Sequence, residues 1–177
     1  MRRLERAGLT AAAAATATGI IFIGACSTQV TGNPQVDQTE LAAYTSEVAA
    51  SSAAASSSRA AAVERAAGAA CDAFAAANES SVDSFNAYID ASNNNAPDAN
   101  AKATAAVSTL RANARNVDQK LTRDVPTEVA NSLRAYRDDT NALADLLDRR
   151  VDVDTLNTAI DKFNATKNTA REACRSH

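Results

Sequence analysis

Three thiols, one imidazole and a run of carboxylates are the side chains of this sequence with the chemistry to bind or react. Cysteines stand at positions 26, 71 and 174, and the sole histidine is His177, the last residue. A Ser-His-Asp or Cys-His relay needs an imidazole held beside its nucleophile, and a terminal His177 is expected to fray into solvent. Zinc finds too few His and Cys to fill its coordination shell. A helical di-iron site would need Glu-x-x-His motifs, which do not occur, and no Gly-rich phosphate loop or Walker motif is present. The sequence therefore reads as non-enzymatic, with no cofactor and no metal site. Asp138, Asp139, Asp145, Asp148, Asp152 and Asp154 cluster, but an EF-hand loop would also need its Gly and terminal Glu. They read instead as a solvated face paired with Arg137, Arg149 and Arg150. Thr140 and Lys167 interrupt otherwise apolar helical stripes, either as stripe-edge residues or as marks of a binding seam.

The bulk composition narrows the elements available to hold these groups. A length of 177 residues suits one domain. With 18 Lys plus Arg against 21 Asp plus Glu, there is no basic surplus to attract nucleic acid. Alanine, the best helix former, is abundant, while Gly and Pro number only 5 and 3 and tryptophan is absent. Such a chain favours long helices with thin seams over sheets or a large apolar cavity.

The N-terminus has the three parts of a secretory signal. Arg2, Arg3 and Arg6 make a positive start, Ala7 to Ala25 carries no charge, and Ile20, Ile21, Phe22 and Ile23 give an apolar run. The final residues, Ile23, Gly24, Ala25 and Cys26, resemble the lipobox of bacterial lipoproteins. That resemblance implies diacylglycerol on the Cys26 sulfur and cleavage before it, which removes residues 1–25. Small Gly24 and Ala25 leave the backbone open to both processing enzymes, and Ile23 fills an apolar subsite. Loss of Arg2, Arg3, Arg6 and Glu5 takes 18 basic and 21 acidic side chains to 15 and 20, a net of −5. Two acyl chains, at roughly 0.8 kcal/mol per buried CH₂, give stable anchoring where one is marginal. The expected location is the outer side of the cell membrane, with the membrane as first partner. An ordinary cleaved signal and an uncleaved membrane helix are the alternatives, the latter weakened by the Ala and Thr content of the run. Arg2-Arg3 suits twin-arginine export but Leu4-Glu5-Arg6 departs from that pattern, so the export route stays open.

Residues 26–38 read as a lipidated start and polar, flexible tether, and Asp37 followed by Glu40 as a helix-starting cap. Residues 39–68, rich in Ala and Ser, form a helix or a partly disordered stalk that admits O-linked sugars. Residues 69–177 carry clear helical periodicity and form the bundle domain. Its stripes are Cys71, Phe74, Asn78, Val82, Phe85 and Ile89; Val107, Leu110, Ala114, Val117 and Leu121; Val129, Leu133, Tyr136, Thr140, Leu143 and Leu147; and Val153, Leu156, Ile160, Phe163, Lys167, Ala170 and Cys174. Breaks fall at residues 93–98, with Pro97 in a first helical turn, at Pro126, and after Arg149 and Arg150. Asp152 or Asp154 caps the last helix.

With Cys26 committed to lipid, Cys71 and Cys174 remain, and an exported protein pairs such a couple. An antiparallel up-down four-helix bundle, the favoured all-α fold, brings them together at one end. A three-helix rod kinked at Pro126 brings them together too, so the pair does not choose between the two. The exported part is expected to be a non-enzymatic module that contacts an envelope protein or cell-wall component. A small-molecule or lipid carrier is the alternative, disfavoured because Ala seams leave little room for a pocket. The whole pattern is similar to the small Ala-rich lipoproteins of actinobacteria, including mycobacterial types. That likeness implies export and helices but supplies no functional residues.

Overall fold

The computed structural model of the chain describes residues 36–177. The leader 1–25, the lipobox residues Ile23, Gly24, Ala25 and Cys26, and the tether up to residue 35 lie outside the described residues. Those described form four α-helices and no strand: α1 (Gln38–Asn93), α2 (Ala99–Lys120), α3 (Thr127–Asp148) and α4 (Val153–Ala173). The break at Pro126 is a loop and not a kink, which decides for four helices over the rod. Pro126 fixes its own φ and sets the first turn of α3, where its missing N–H costs nothing.

The chain divides into two units, Met1–Tyr44 and Thr45–His177. In the first, the Asp37 carboxylate accepts the Thr39 N–H at 2.8 Å and the Glu40 N–H at 3.4 Å, capping the orphan donors of α1. Leu41 and Tyr44 are exposed.

In the second unit, residues 45–61 are helical yet wholly exposed. Ser51, Ser52 and Ser57 each donate their hydroxyl to the carbonyl three residues back, at 2.9–3.0 Å. This self-satisfaction, together with many Ala, lets a polar segment stay helical without packing. Burial begins at Ala67 and continues through Ala70, Cys71, Phe74, Ala77, Ser81 and Phe85. The stripes expected for α2 and α3 all turn inward except Leu121, which is half-buried. On α4, Val153 is 71% exposed, against expectation. It is the first residue of the helix, placed by its Asp152 cap before the helix meets the others.

Small residues set the layout. Ala67, Ala70, Ala73, Ala77 and Ala91 on α1, Ala103, Ala106 and Ala114 on α2, Ala130 and Ala144 on α3, and Ala159 and Ala170 on α4 are buried. These small side chains let the backbones approach closely, as in the α2–α3 and α3–α4 pairs. Larger side chains fill the centre, where Tyr136 stacks edge-on to Phe74 at 4.8 Å and tilts against Phe163 at 5.5 Å. Each fully buried Leu, such as Leu110 and Leu133, contributes about 1.5–3 kcal/mol.

The loops obey recognisable capping rules. Asn95 (φ 49°) and Arg150 (φ 53°) adopt the left-handed conformation just past α1 and α3. The Ala96 N–H then reaches the Ala91 carbonyl at 2.8 Å and the Asn95 N–H reaches Ser92, while Val151 and Arg150 bond Leu146 and Leu147 in the same way. These are two Schellman endings. Asp152 caps α4, accepting the Thr155 N–H at 2.9 Å and the Thr155 hydroxyl at 2.7 Å. Pro97 precedes the first turn of α2 instead of lying in it, because Asp98 takes the capping position.

Candidate functional site

A groove opens along the α1–α4 face. Its volume is about 320 Å³. Val82, Phe85 and Ile89 of α1 face Ile160 and Phe163 of α4, and Leu110 and Leu143 complete the floor. Ser81, Asn86, Asn157, Asn164 and Lys167 supply its polar atoms, and no Asp or Glu lines it. A hollow of about 330 Å³ lies between α3 and α4, but Asp139 and Lys162 line it along with few large apolar residues. The α1–α4 groove is the better-built site, since apolar side chains from all four helices make its floor.

Lys167 holds the one ammonium in this groove. It lies 5.7 Å from the Phe163 ring centroid and donates to Asn164 Oδ1 at 2.6 Å. Among the described residues no carboxylate forms an ion pair with it. Partial burial, and then the nearby Arg171 charge, push its amine below the usual lysine value.

A small polar cluster adjoins the Ser81 end of the groove. Asn113 Nδ2 donates to Ser81 Oγ at 2.9 Å and to the Ala77 carbonyl at 3.0 Å, bridging α2 to α1. Thr140 turns its hydroxyl back onto the Tyr136 carbonyl, 2.7 Å away. Among the described residues, Asn78 Oδ1 is buried with no hydrogen-bond partner, and the buried Tyr136 hydroxyl has no well-aligned one although it lies beside the Ser81 and Thr140 hydroxyls. Burial pushes the Tyr136 phenol above its ordinary value, and the neighbouring Ser81 and Thr140 hydroxyls oppose that shift only in part.

Cys71 and Cys174 are joined, with 2.02 Å between sulfurs and 5.6 Å between Cα atoms. The expected Asp face is only partly paired as anticipated. Arg137 does bind Asp138, at 2.7 Å, and also Asp118, but Asp145 and Asp148 are held by Arg111 at 2.8 and 3.1 Å. Arg150 donates instead to the Asn100 carbonyl at 3.3 Å. Asp118, Asp145 and Asp148 thus pair with arginines across α2 and α3, and among the described residues no three His, Cys, Asp or Glu are placed to hold a metal ion. His177 also departs from expectation. The disulfide tethers the tail, the His177 side chain is only 16% exposed, and its Nδ1 sits 3.5 Å from Glu64 Oε2. The lipobox residues Ile23, Gly24, Ala25 and Cys26 lie outside the described residues.

The groove itself was not legible beforehand. Of the two polar interruptions, Thr140 and Lys167, Lys167 lines the groove and Thr140 turns onto its own helix.

Comparison with known proteins bears on the bundle. No curated protein and no solved structure matches the chain. A family model described as the Rv2240c four-helix bundle domain matches residues 53–175, a span that takes in both bonded cysteines, all of α2 to α4 and the groove. The chain belongs to the Rv2240c four-helix bundle domain family.

Proposed function

We propose that this chain is an exported lipoprotein, held at the outer side of a membrane by acyl chains on Cys26, whose bundle is a non-enzymatic binding module. The observation that carries the reading is the Cys71–Cys174 bond. Disulfides of this kind persist in oxidising compartments outside the cytoplasm. Arg2, Arg3 and Arg6, the uncharged run and the Ile23-Gly24-Ala25-Cys26 motif supply the export and lipidation signals. No helix among the described residues is long and apolar enough to cross a membrane, so the acyl chains are the proposed attachment. The exposed, self-capped Ala/Ser helix serves as a spacer between anchor and bundle. An envelope protein or cell-wall component is the proposed partner.

Intact mass of the membrane-extracted protein, with and without reductant, tests cleavage before Cys26, acylation and the disulfide together. A Cys26→Ser variant is expected to lose the acyl mass and leave the membrane fraction. Unchanged membrane retention would overturn the lipid reading. The groove favours a second reading, that the binding module is a carrier for a small amphiphile.

A further inference from the structure

The one charged side chain that lines the groove stands toward one of its ends. Antiparallel packing registered by Cys71 and Cys174 places Asn78 level with Lys167, and Ile89 level with Leu156. One end therefore gathers Lys167, Asn164 and Ser81, while the other holds Phe85, Ile89 and Ile160 with the exposed Asn86 and Asn157 at its rim. A half-buried ammonium without a counter-charge is an unfinished arrangement, and it stands out in a chain whose net charge is −3. A neutral apolar guest would dry the amine and give nothing back. A cationic guest would meet it head on. A phosphate monoester brings up to two negative charges to a single lysine, whereas a carboxylate brings one. With about 30 Å³ per water-sized group, a 320 Å³ groove holds about ten heavy atoms.

We propose that this groove binds a medium-chain fatty carboxylate, with its tail along Phe85, Ile89 and Ile160 and its carboxylate on the Lys167 amine. The amides of Asn164 and Asn157 and the Ser81 hydroxyl supply further polar atoms along the groove. This deepens the carrier reading and stands apart from the anchor, since the groove is the same whether or not Cys26 bears lipid.

The test uses the full chain carrying Cys26→Ser, which has no acyl chain of its own to occupy the groove. Calorimetric titration with decanoate, decanol and decyltrimethylammonium compares three heads on one tail. Decanoate is expected to saturate a single site and decyltrimethylammonium to bind much more weakly. Lys167→Gln should weaken decanoate roughly tenfold or more, the scale of one charge-assisted hydrogen bond, while Lys167→Arg keeps most of the affinity. Decanol binding should be indifferent to Lys167→Gln, which also shows that the groove survives the substitution. Ile89→Ala should weaken all three ligands alike. Equal binding of the cationic and anionic amphiphiles overturns the proposal, as does decanoate affinity unmoved by Lys167→Gln. Absence of saturable binding removes the carrier function and leaves the Cys26 anchor to stand or fall on its mass measurement.

Discussion

Breaking the Cys71–Cys174 bond is expected to be the most damaging two-atom change available to the bundle. The bond closes a loop across a sequence separation of 103 residues. In the chain-entropy description, a loop near that length restrains the unfolded chain by about 4.7 kcal/mol, and native disulfides commonly contribute about 2–4 kcal/mol. Against a total stability of about 5–15 kcal/mol for an ordinary domain, that is a large share. At about 4 °C per kcal/mol for a domain of this size, the melting temperature should drop by roughly 10–20 °C. The perturbation is the double variant Cys71→Ala/Cys174→Ala, followed by urea and thermal unfolding at neutral pH. Parent protein in strong reductant is the matched control, because it loses the cross-link but keeps both sulfur atoms. Both samples should fall together, and reductant should leave the double variant unmoved. A loss below about 1 kcal/mol would refute the loop-entropy reasoning. If the double variant falls while reduced parent does not, packing of the buried Cys71 side chain is responsible, and the cross-link is not.

Tyr136→Phe should change stability by less than about 1 kcal/mol, because its buried hydroxyl meets the Ser81 and Thr140 hydroxyls without a well-aligned hydrogen bond; in urea melts, a larger loss would reveal a full bond to that oxygen. Asp152 is held below the ordinary aspartate value, first by the Thr155 N–H and then by the Thr155 hydroxyl. A depressed folded value means its stabilisation is present above the unfolded value and is lost as pH falls through the folded one. Asp152→Asn keeps a good helix cap and should match the parent at pH 7 but lose less stability below about pH 4. Parallel pH profiles of urea midpoints for the two proteins would contradict this.

Much of the bundle was legible in the sequence, and the physics of each element says why. The α2 and α3 stripes were readable because Val, Leu and Tyr recur every three or four residues on helices flanked by strong breakers. Asp37 and Asp152 were readable because capping is a local affair between residues two or three apart. The Cys71–Cys174 pair followed from there being just two thiols left for an oxidising compartment. Ala67 and Ala70 were missed, since alanine looks the same whether it fills a seam or faces water. Arg111 was missed as the partner of Asp145 and Asp148, because an ion pair between α2 and α3 leaves no mark on either helix alone. His177 was read as free because terminal position suggests fraying; its residue is exposed, but its imidazole lies beside Glu64, a contact between α1 and the tail that neither shows alone. The groove belongs to the same class as Arg111: Lys167 and Ser81 sit 86 positions apart in sequence, and only the register of α1 against α4 brings them to one groove.

The disulfide also determines how the chain would carry a mechanical load. A pull applied along α1 and resisted at the tail enters the bundle at Cys71, crosses the sulfur bridge, and leaves through Cys174, three residues from His177. Everything between those cysteines, the rest of α1 and all of α2 to α4, lies off that load path. A module tethered at one end can thus be tugged by whatever it holds near its tail without its helices being drawn apart. The covalent bond takes the strain, and the noncovalent core keeps its shape.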